Sequence, residues 1–176
     1  KLNVFKVSID DFYKTRKDRK SLSKNKHSLL MTRGVPGTHD IDLMLSFFKK
    51  IKDKNFKSLQ IPRFNKAIDD RCSKNLWHKI KTKPDVVIFE GWCVGARPQL
   101  NSELKKPVNS LEKVYDQEVK WRVHVNNQLK TKYKTLFNQL DGLLYLKAKN
   151  FNLLREWRLK QERKLWAQTK NKKNLK

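Results

Sequence analysis

The sequence is poor in the features that define several protein classes. It has two cysteines, Cys72 and Cys93, in no CxxC pair and at no metal-ligand spacing. That excludes a disulfide scaffold and a zinc module, and predicts reduced thiols in an intracellular setting. No apolar run reaches the roughly 18 residues that a membrane-spanning helix needs, and no signal peptide is visible. RNP-type, KH and zinc patterns are missing too, which speaks against a sequence-reading nucleic-acid module. Acids are scarce: 17 Asp and Glu face 42 Lys and Arg, for a net charge of +25. Such a charge suits an anionic partner. Here the cations are dispersed, Lys greatly outnumbers Arg, and Asn is frequent, as in proteins of AT-rich genomes with solvated lysine faces.

What is present suffices for a core. Hydrophobic residues make up 38% and aromatics 10%, with five Trp, so global disorder is not expected despite 34% charged residues. The length of 176 residues suits one domain. The sequence starts at Lys1 and stops in the polar run KNKKNLK, and we read both ends as cut.

Val4 to Ile9 (VFKVSI) reads as a strand running into the acidic pair Asp10-Asp11. Lys14 to Leu30 is helix-compatible. Gly34, Pro36 and Gly37 punctuate a loop, after which Thr38 or Asp40 caps a helix over Ile41 to Asp53, with Ile41, Met44, Leu45 and Phe48 at helical spacing. Ser58 to Phe64 is extended, with Pro62 placing it at an edge. Asp85 to Phe89 (DVVIF) is a continuous apolar run, as a buried parallel strand is, and it ends in Glu90. Leu111 to Leu140 is mostly helical. Gly142 to Lys147 (GLLYLK) reads as another buried strand. Phe151 to Gln168 is a basic helix with apolar Leu154, Trp157 and Leu165. Strands alternating with helices predict an α/β domain with a mostly parallel sheet. Ligands bind such sheets beyond the carboxyl ends of the strands. Asp10, Asp11 and Glu90 stand at that edge, where carboxylates can hold Mg²⁺ or accept a proton from a hydroxyl; a capping role for each is the alternative.

The wording of the motifs adds to this. SIDDFY (Ser8–Tyr13) and VVIFEGW (Val86–Trp92) resemble paired motifs of the phosphoribulokinase and uridine kinase superfamily of P-loop kinases. RGVPGTHD (33–40), PRFNKAIDDR (62–71), EGWCVGARPQ (90–99), NSLE (109–112), WRVHVN (121–126) and WRLKQE (157–162) resemble the D-glycerate 3-kinase family. The blocks run in one order from Ser8 to about Leu165. The resemblance implies a three-layer α/β/α P-loop kinase-like fold with a helical lid at about 151–168, in a single domain spanning 1–176. It implies ATP and Mg²⁺ as cosubstrate and metal, and D-glycerate as the small-molecule acceptor. Asp10 would accept the hydroxyl proton and approach Mg²⁺, and Glu90 would support the metal. Tyr13, His39, Asp40 and Arg71 would lie near the acceptor, with Arg71 or Arg97 as a fork for its carboxylate. Arg155 and Arg158 would close over the phosphates. Trp92, Trp121 and Trp157 read as packing residues.

The departures matter as well. No G-x-x-x-x-G-K-[ST] occurs, so the first strand and its phosphate loop are expected to be missing by truncation, leaving exposed apolar edges and a segment unstable or inactive by itself. Asn65 stands where the family tends to have Asp. The expected location is cytoplasmic, or organellar with a transit peptide further upstream. Kinases of other hydroxylated metabolites, uridine- or pantothenate-kinase-like, are the alternative, and a basic nucleic-acid-binding module is a more distant one. No membrane and no specific nucleic acid are expected as partners, and the oligomeric state is not legible.

Overall fold

The computed structural model describes residues 1–173, in two compact units divided between Asp141 and Gly142. In the first unit, β1 (Val4–Ser8) pairs in parallel with β6 (Val86–Glu90), with Val4 opposite Val86 and Ser8 opposite Glu90. Both strands were read from their β-rich composition. Alternation along them splits the pair into two faces. Phe5, Val7, Val87 and Phe89 turn inward to the core, whereas Val4, Val86 and Ile88 stay exposed.

The inward face packs on α2 (Ile41–Lys52), which contributes Met44, Phe47, Phe48 and Ile51. Phe48 and Phe89 meet edge-on with ring centres 5.3 Å apart. Each such side chain contributes about 1.5–3 kcal/mol by leaving water. Asp40, one of the two predicted caps, starts α2: its carboxylate accepts the Leu43 N–H at 3.1 Å. α1 (Arg16–Asn25) precedes it, capped by Thr15, whose hydroxyl accepts the Asp18 N–H.

The predicted extended segment divides at Pro62. β2 (Leu59–Ile61) pairs antiparallel with β5 (His78–Ile80), and β3 (Phe64–Asn65) with β4 (Asp70–Arg71). The parallel pairing is thus confined to β1 and β6 among the described residues, flanked by two short ribbons. Asn65 ends β3 and starts the turn to β4: its side chain accepts the Ala67 N–H at 2.9 Å.

The predicted helical stretch holds α3 (Ser110–Tyr115), α4 (Lys120–Gln128) and α5 (Lys134–Phe137), the last two joined by a π-helical turn over Leu129–Tyr133. Much of the NSLE and WRVHVN wording serves architecture. Asn109 caps α3 by accepting the Glu112 N–H, and the Glu112 carboxylate accepts the Val108 N–H. Buried Asp116 accepts the backbone N–H groups of Trp121 and Arg122 and the Arg122 Nε–H at 2.9 Å. Those bonds hold a turn in which Val119 has φ 61°, a costly value for a β-branched residue. Asn126 and Gln99 exchange two hydrogen bonds that fasten the loop after β6 to α4.

The second unit consists of an irregular segment and α6 (Phe151–Lys173), whose first turn is capped by Asn150 through the Leu153 N–H. The strand expected at Gly142 to Lys147 does not form: Leu143, Leu144, Tyr145 and Leu146 are 62–86% exposed. An apolar run becomes a strand only where a sheet edge offers it hydrogen bonds, and no described strand pairs with this one. The helix expected over 151–168 extends to Lys173. The side chain of Leu165 and the last three residues of the terminal polar run lie outside the described residues.

Candidate active site

At the end of β1 the chain turns through a 3₁₀ segment, Ile9–Phe12, in which the Ser8 hydroxyl accepts the Asp10 N–H at 3.3 Å. Ile9 and Phe12 are buried, which anchors the turn and leaves Asp10 half-buried at the strand's carboxyl end. Glu90 lies one strand over, opposite Ser8, as the sequence predicted. Each carboxylate faces its own lysine. Lys66 Nζ is 2.7 Å from Asp10 Oδ2, and Lys6 Nζ is 3.9 Å from Glu90 Oε1. Asp11 turns elsewhere and accepts the Phe64 N–H; burial, the largest influence on it, raises its pKa. Gly91 follows Glu90 because nothing larger fits: a Cβ there would lie 2.2 Å from Ile9 Cγ2.

The RGVPGTHD loop is bound to this turn. Lys14 N donates to Thr38 O at 2.9 Å and Asp40 N donates to Phe12 O at 2.8 Å, bridging Tyr13 to His39. The two rings stack with centres 4.3 Å apart. Burial, with the charge of Asp10 adding to it, pushes the Tyr13 phenol well above its ordinary value, so it stays neutral. His39 is 1% exposed, and burial lowers its pKa to about 4, against the pull of Asp10 in the other direction. Its Nδ1 is 2.6 Å from the Tyr133 hydroxyl, which also accepts the Gly37 N–H at 3.0 Å. His39 Nε2 is buried without a hydrogen-bond partner.

Arg71, on β4, joins the cluster from the other side. Its Nε and Nη2 donate to the Tyr13 carbonyl at 3.2 and 2.7 Å, and Nη2 also reaches Asp40 Oδ2 at 3.0 Å. The neighbouring Asp69 and Asp70 form no ion pair with the Arg71 guanidinium. Asp69 bridges Arg19 and Arg33; burial raises its pKa, but the two guanidinium hydrogen bonds outweigh this and hold the carboxyl below its ordinary range. Asp70 accepts the backbone N–H groups of Arg16 and Arg71.

The structure therefore brings Asp10, Tyr13, His39, Asp40 and Arg71 together, with Glu90 on the neighbouring strand. Arg97 is exposed on the loop after β6. Arg155 and Arg158 are exposed on α6 in the second unit, where Arg158 pairs with Glu162 at 2.5 Å. Of the tryptophans read as packing residues, Trp92 and Trp157 are 67% and 54% exposed, so neither is a core residue; Trp92 Nε1 donates to the Gly34 carbonyl. Sequence reasoning missed Tyr133, Lys66 and Cys93. Tyr133 falls in the stretch read only as mostly helical, and Lys66 in the PRFNKAIDDR block without a role. Cys93 is buried beside this cluster, and burial pushes its thiol up to about 12, which leaves it unreactive.

No protein-family model matches the chain. Its fold is the α/β fold of P-loop kinases. It aligns with a solved D-glycerate 3-kinase from Cryptococcus neoformans at a TM-score of 0.78 and 29% identity, over 96% of this chain and 62% of that one. By sequence it is homologous to proteins named as kinases. It is 32% identical over 173 residues to the uncharacterized kinase mug58 of Schizosaccharomyces pombe, covering 94% of this chain and 61% of that protein. It is also 32% identical over 177 residues to the probable ATP-dependent kinase TDA10 of Saccharomyces cerevisiae, covering 90% of this chain and 56% of that one. The resemblance read from the motifs thus holds in both sequence and fold. The chain spans about three fifths of the length of these proteins.

Proposed function

We propose that the protein is an ATP-dependent kinase of a small hydroxylated acid, with D-glycerate as the acceptor. The observation that carries this reading is the convergence of Asp10, Tyr13, His39, Asp40 and Arg71 at the carboxyl end of β1, in a chain whose relatives are named kinases. Asp10 accepts the proton of the acceptor hydroxyl as its oxygen forms a bond to the γ-phosphorus; the bond from that phosphorus to the β,γ-bridging oxygen breaks, and ADP leaves. Phosphoryl transfer of this kind depends on positioning and on charge more than on covalent help from the protein.

Asp10 and Glu90 are the carboxylates to hold Mg²⁺. Their donor set fits that ion, which takes one or two carboxylates and completes its shell with water and phosphate oxygens. Bound there, the ion would offset charge on the phosphates. No group of three or more His, Cys, Asp or Glu able to hold a metal occurs among the described residues, so the fit rests on this smaller set. Tyr13 and His39 form one wall of the acceptor pocket. Arg71 ties that wall to Asp40, and Arg97 supplies a guanidinium for the acceptor's carboxylate. Arg155 and Arg158 serve the phosphates. No described helix is long and apolar enough to cross a membrane.

Turnover of ATP by the full natural protein with Mg²⁺ tests the reading, using D-glycerate, uridine and pantothenate as acceptors. D-glycerate is expected to be the substrate. Asp10→Asn is expected to lower kcat by about 10²–10⁴-fold, the usual contribution of a positioned base. A variant that keeps most of the activity refutes the role of Asp10, and turnover with another acceptor alone refutes the substrate.

A further inference from the structure

The Tyr133 hydroxyl lies at the crossing of three groups and has one proton to give. The Gly37 N–H is a donor only, so at 3.0 Å the phenol oxygen must accept from it. Tyr133 is fully buried, and burial pushes its pKa far above the ordinary value, so the phenol keeps its proton. The acceptor within reach of that proton is His39 Nδ1 at 2.6 Å. A neutral imidazole that accepts at Nδ1 carries its own hydrogen on Nε2. That nitrogen is buried and lacks a partner, in a ring that is itself 1% exposed. Buried donors are almost always satisfied, and an exception calls for an explanation, a catalytic role or a bound water or ion among them. Tyr133 closes the π-helical turn of Leu129–Tyr133, a distortion often found at functional sites.

We infer that Tyr133 is a positioning residue that locks His39 into the Nε2–H tautomer, so that this buried, unmatched donor is offered to an oxygen of the acceptor beside Asp10. The partner is a hydroxyl or carboxylate oxygen, not a cation or an apolar group, because a neutral N–H donates and cannot coordinate a metal. The charged groups acting on the ring are Asp10 and Lys14, and the neutral phenols of Tyr13 and Tyr133 pack on it. Asp10 is half-buried and pairs with the exposed ammonium of Lys66, a contact that an entering oxygen can replace at little cost. Gly37 fits the same scheme. Its φ of 105° suits glycine, and this conformation presents its N–H to the phenol.

This inference deepens the kinase reading and rests on it for the identity of the oxygen, but the tautomer can be read without turnover. Nitrogen NMR of the full natural protein, labelled at histidine, is expected to show His39 with its proton on Nε2 alone, unchanged between pH 5.5 and 8. D-glycerate is expected to shift the Nε2–H signal. In Tyr133→Phe the tautomers are expected to mix, and the KM for the acceptor to rise about tenfold, the effect of one hydrogen bond, with a smaller change in kcat. His39→Gln supplies a comparable donor that needs no tautomer, so adding Tyr133→Phe to it is expected to cost little more. A proton on Nδ1 in the wild type overturns the inference without any variant. So does an unchanged tautomer or an unchanged KM in a folded Tyr133→Phe protein. A wild type that shows the Nε2–H tautomer but phosphorylates no acceptor overturns the kinase reading instead, and leaves the role of Tyr133 in setting the tautomer standing.

Discussion

His39 ties stability to pH in a window where few other groups titrate. Unfolded, its imidazole takes up a proton near its ordinary pKa of 6.5; folded, it does so only near 4. Between those values the unfolded chain binds more protons, so stability rises with pH. The contribution is fully present above about 6.5 and is lost as the pH falls through 4. The gap corresponds to about 3 kcal/mol, a large share of the 5–15 kcal/mol typical of a folded domain. Burial causes the shift, because a cation beside Tyr13 and Tyr133 would be out of water; Asp10 works against it, and Lys14 adds to it. His124, also lowered by burial, adds slope in the same range. Urea unfolding at half-unit steps from pH 4 to 8 measures the total, and His39→Gln isolates one residue. The variant is expected to be less stable at pH 7 and to lose the His39 part of the slope, so that the two curves converge toward pH 4. Parallel curves for wild type and variant would refute a neutral, buried His39.

Two further substitutions probe the frame that positions the site. Gly91→Ala sets a methyl against Ile9, directly beneath the Asp10 turn, and is expected to destabilise by about 1–3 kcal/mol; a thermal melt unchanged from wild type would show that Ile9 yields easily. Asp116→Asn removes the charge that holds Arg122 and two backbone N–H groups, and strands a buried guanidinium. Breaking such a pair is expected to cost about 3–5 kcal/mol in denaturant titrations, and a loss below 1 kcal/mol would mean that Glu112, 3.6 Å from Arg122, is a sufficient partner.

Legibility of the sequence followed the range of the interactions. VFKVSI and DVVIF are strands by local composition, and their pairing put Asp10 and Glu90 on one edge, as predicted. Asp40 was legible as a cap because caps act over three residues. The motif wording singled out Tyr13, His39 and Arg71, which the fold brings together, but not their partners. Arg71 holds a carbonyl 58 positions away rather than its sequence neighbours, and Tyr133 reaches His39 across 94 positions; no local pattern encodes either contact. GLLYLK failed for the complementary reason. Its apolar run satisfies the composition of a strand, but pairing is a property of the edge it meets. Val4, Val86 and Ile88 share the exposed face of the strand pair.

The scarcity of acids gives each one leverage. In a chain of net charge +25, four carboxylates near the site are matched to cations: Asp10 to Lys66, Glu90 to Lys6, Asp40 to Arg71, and Asp69 to Arg19 and Arg33; Asp11 and Asp70 accept backbone N–H groups instead. The pairs differ in kind. Asp40–Arg71 and Asp69–Arg19 involve largely buried guanidinium groups that also bind backbone carbonyls, so they are structural and costly to break. Lys66 and Lys6 are exposed ammonium groups on flexible stems, whose pairs with Asp10 and Glu90 are worth at most about 1 kcal/mol. A divalent ion or a substrate hydroxyl can displace them at little cost. The two acids given roles in phosphoryl transfer are therefore those whose cations are easily released, while the acids around them are held in place.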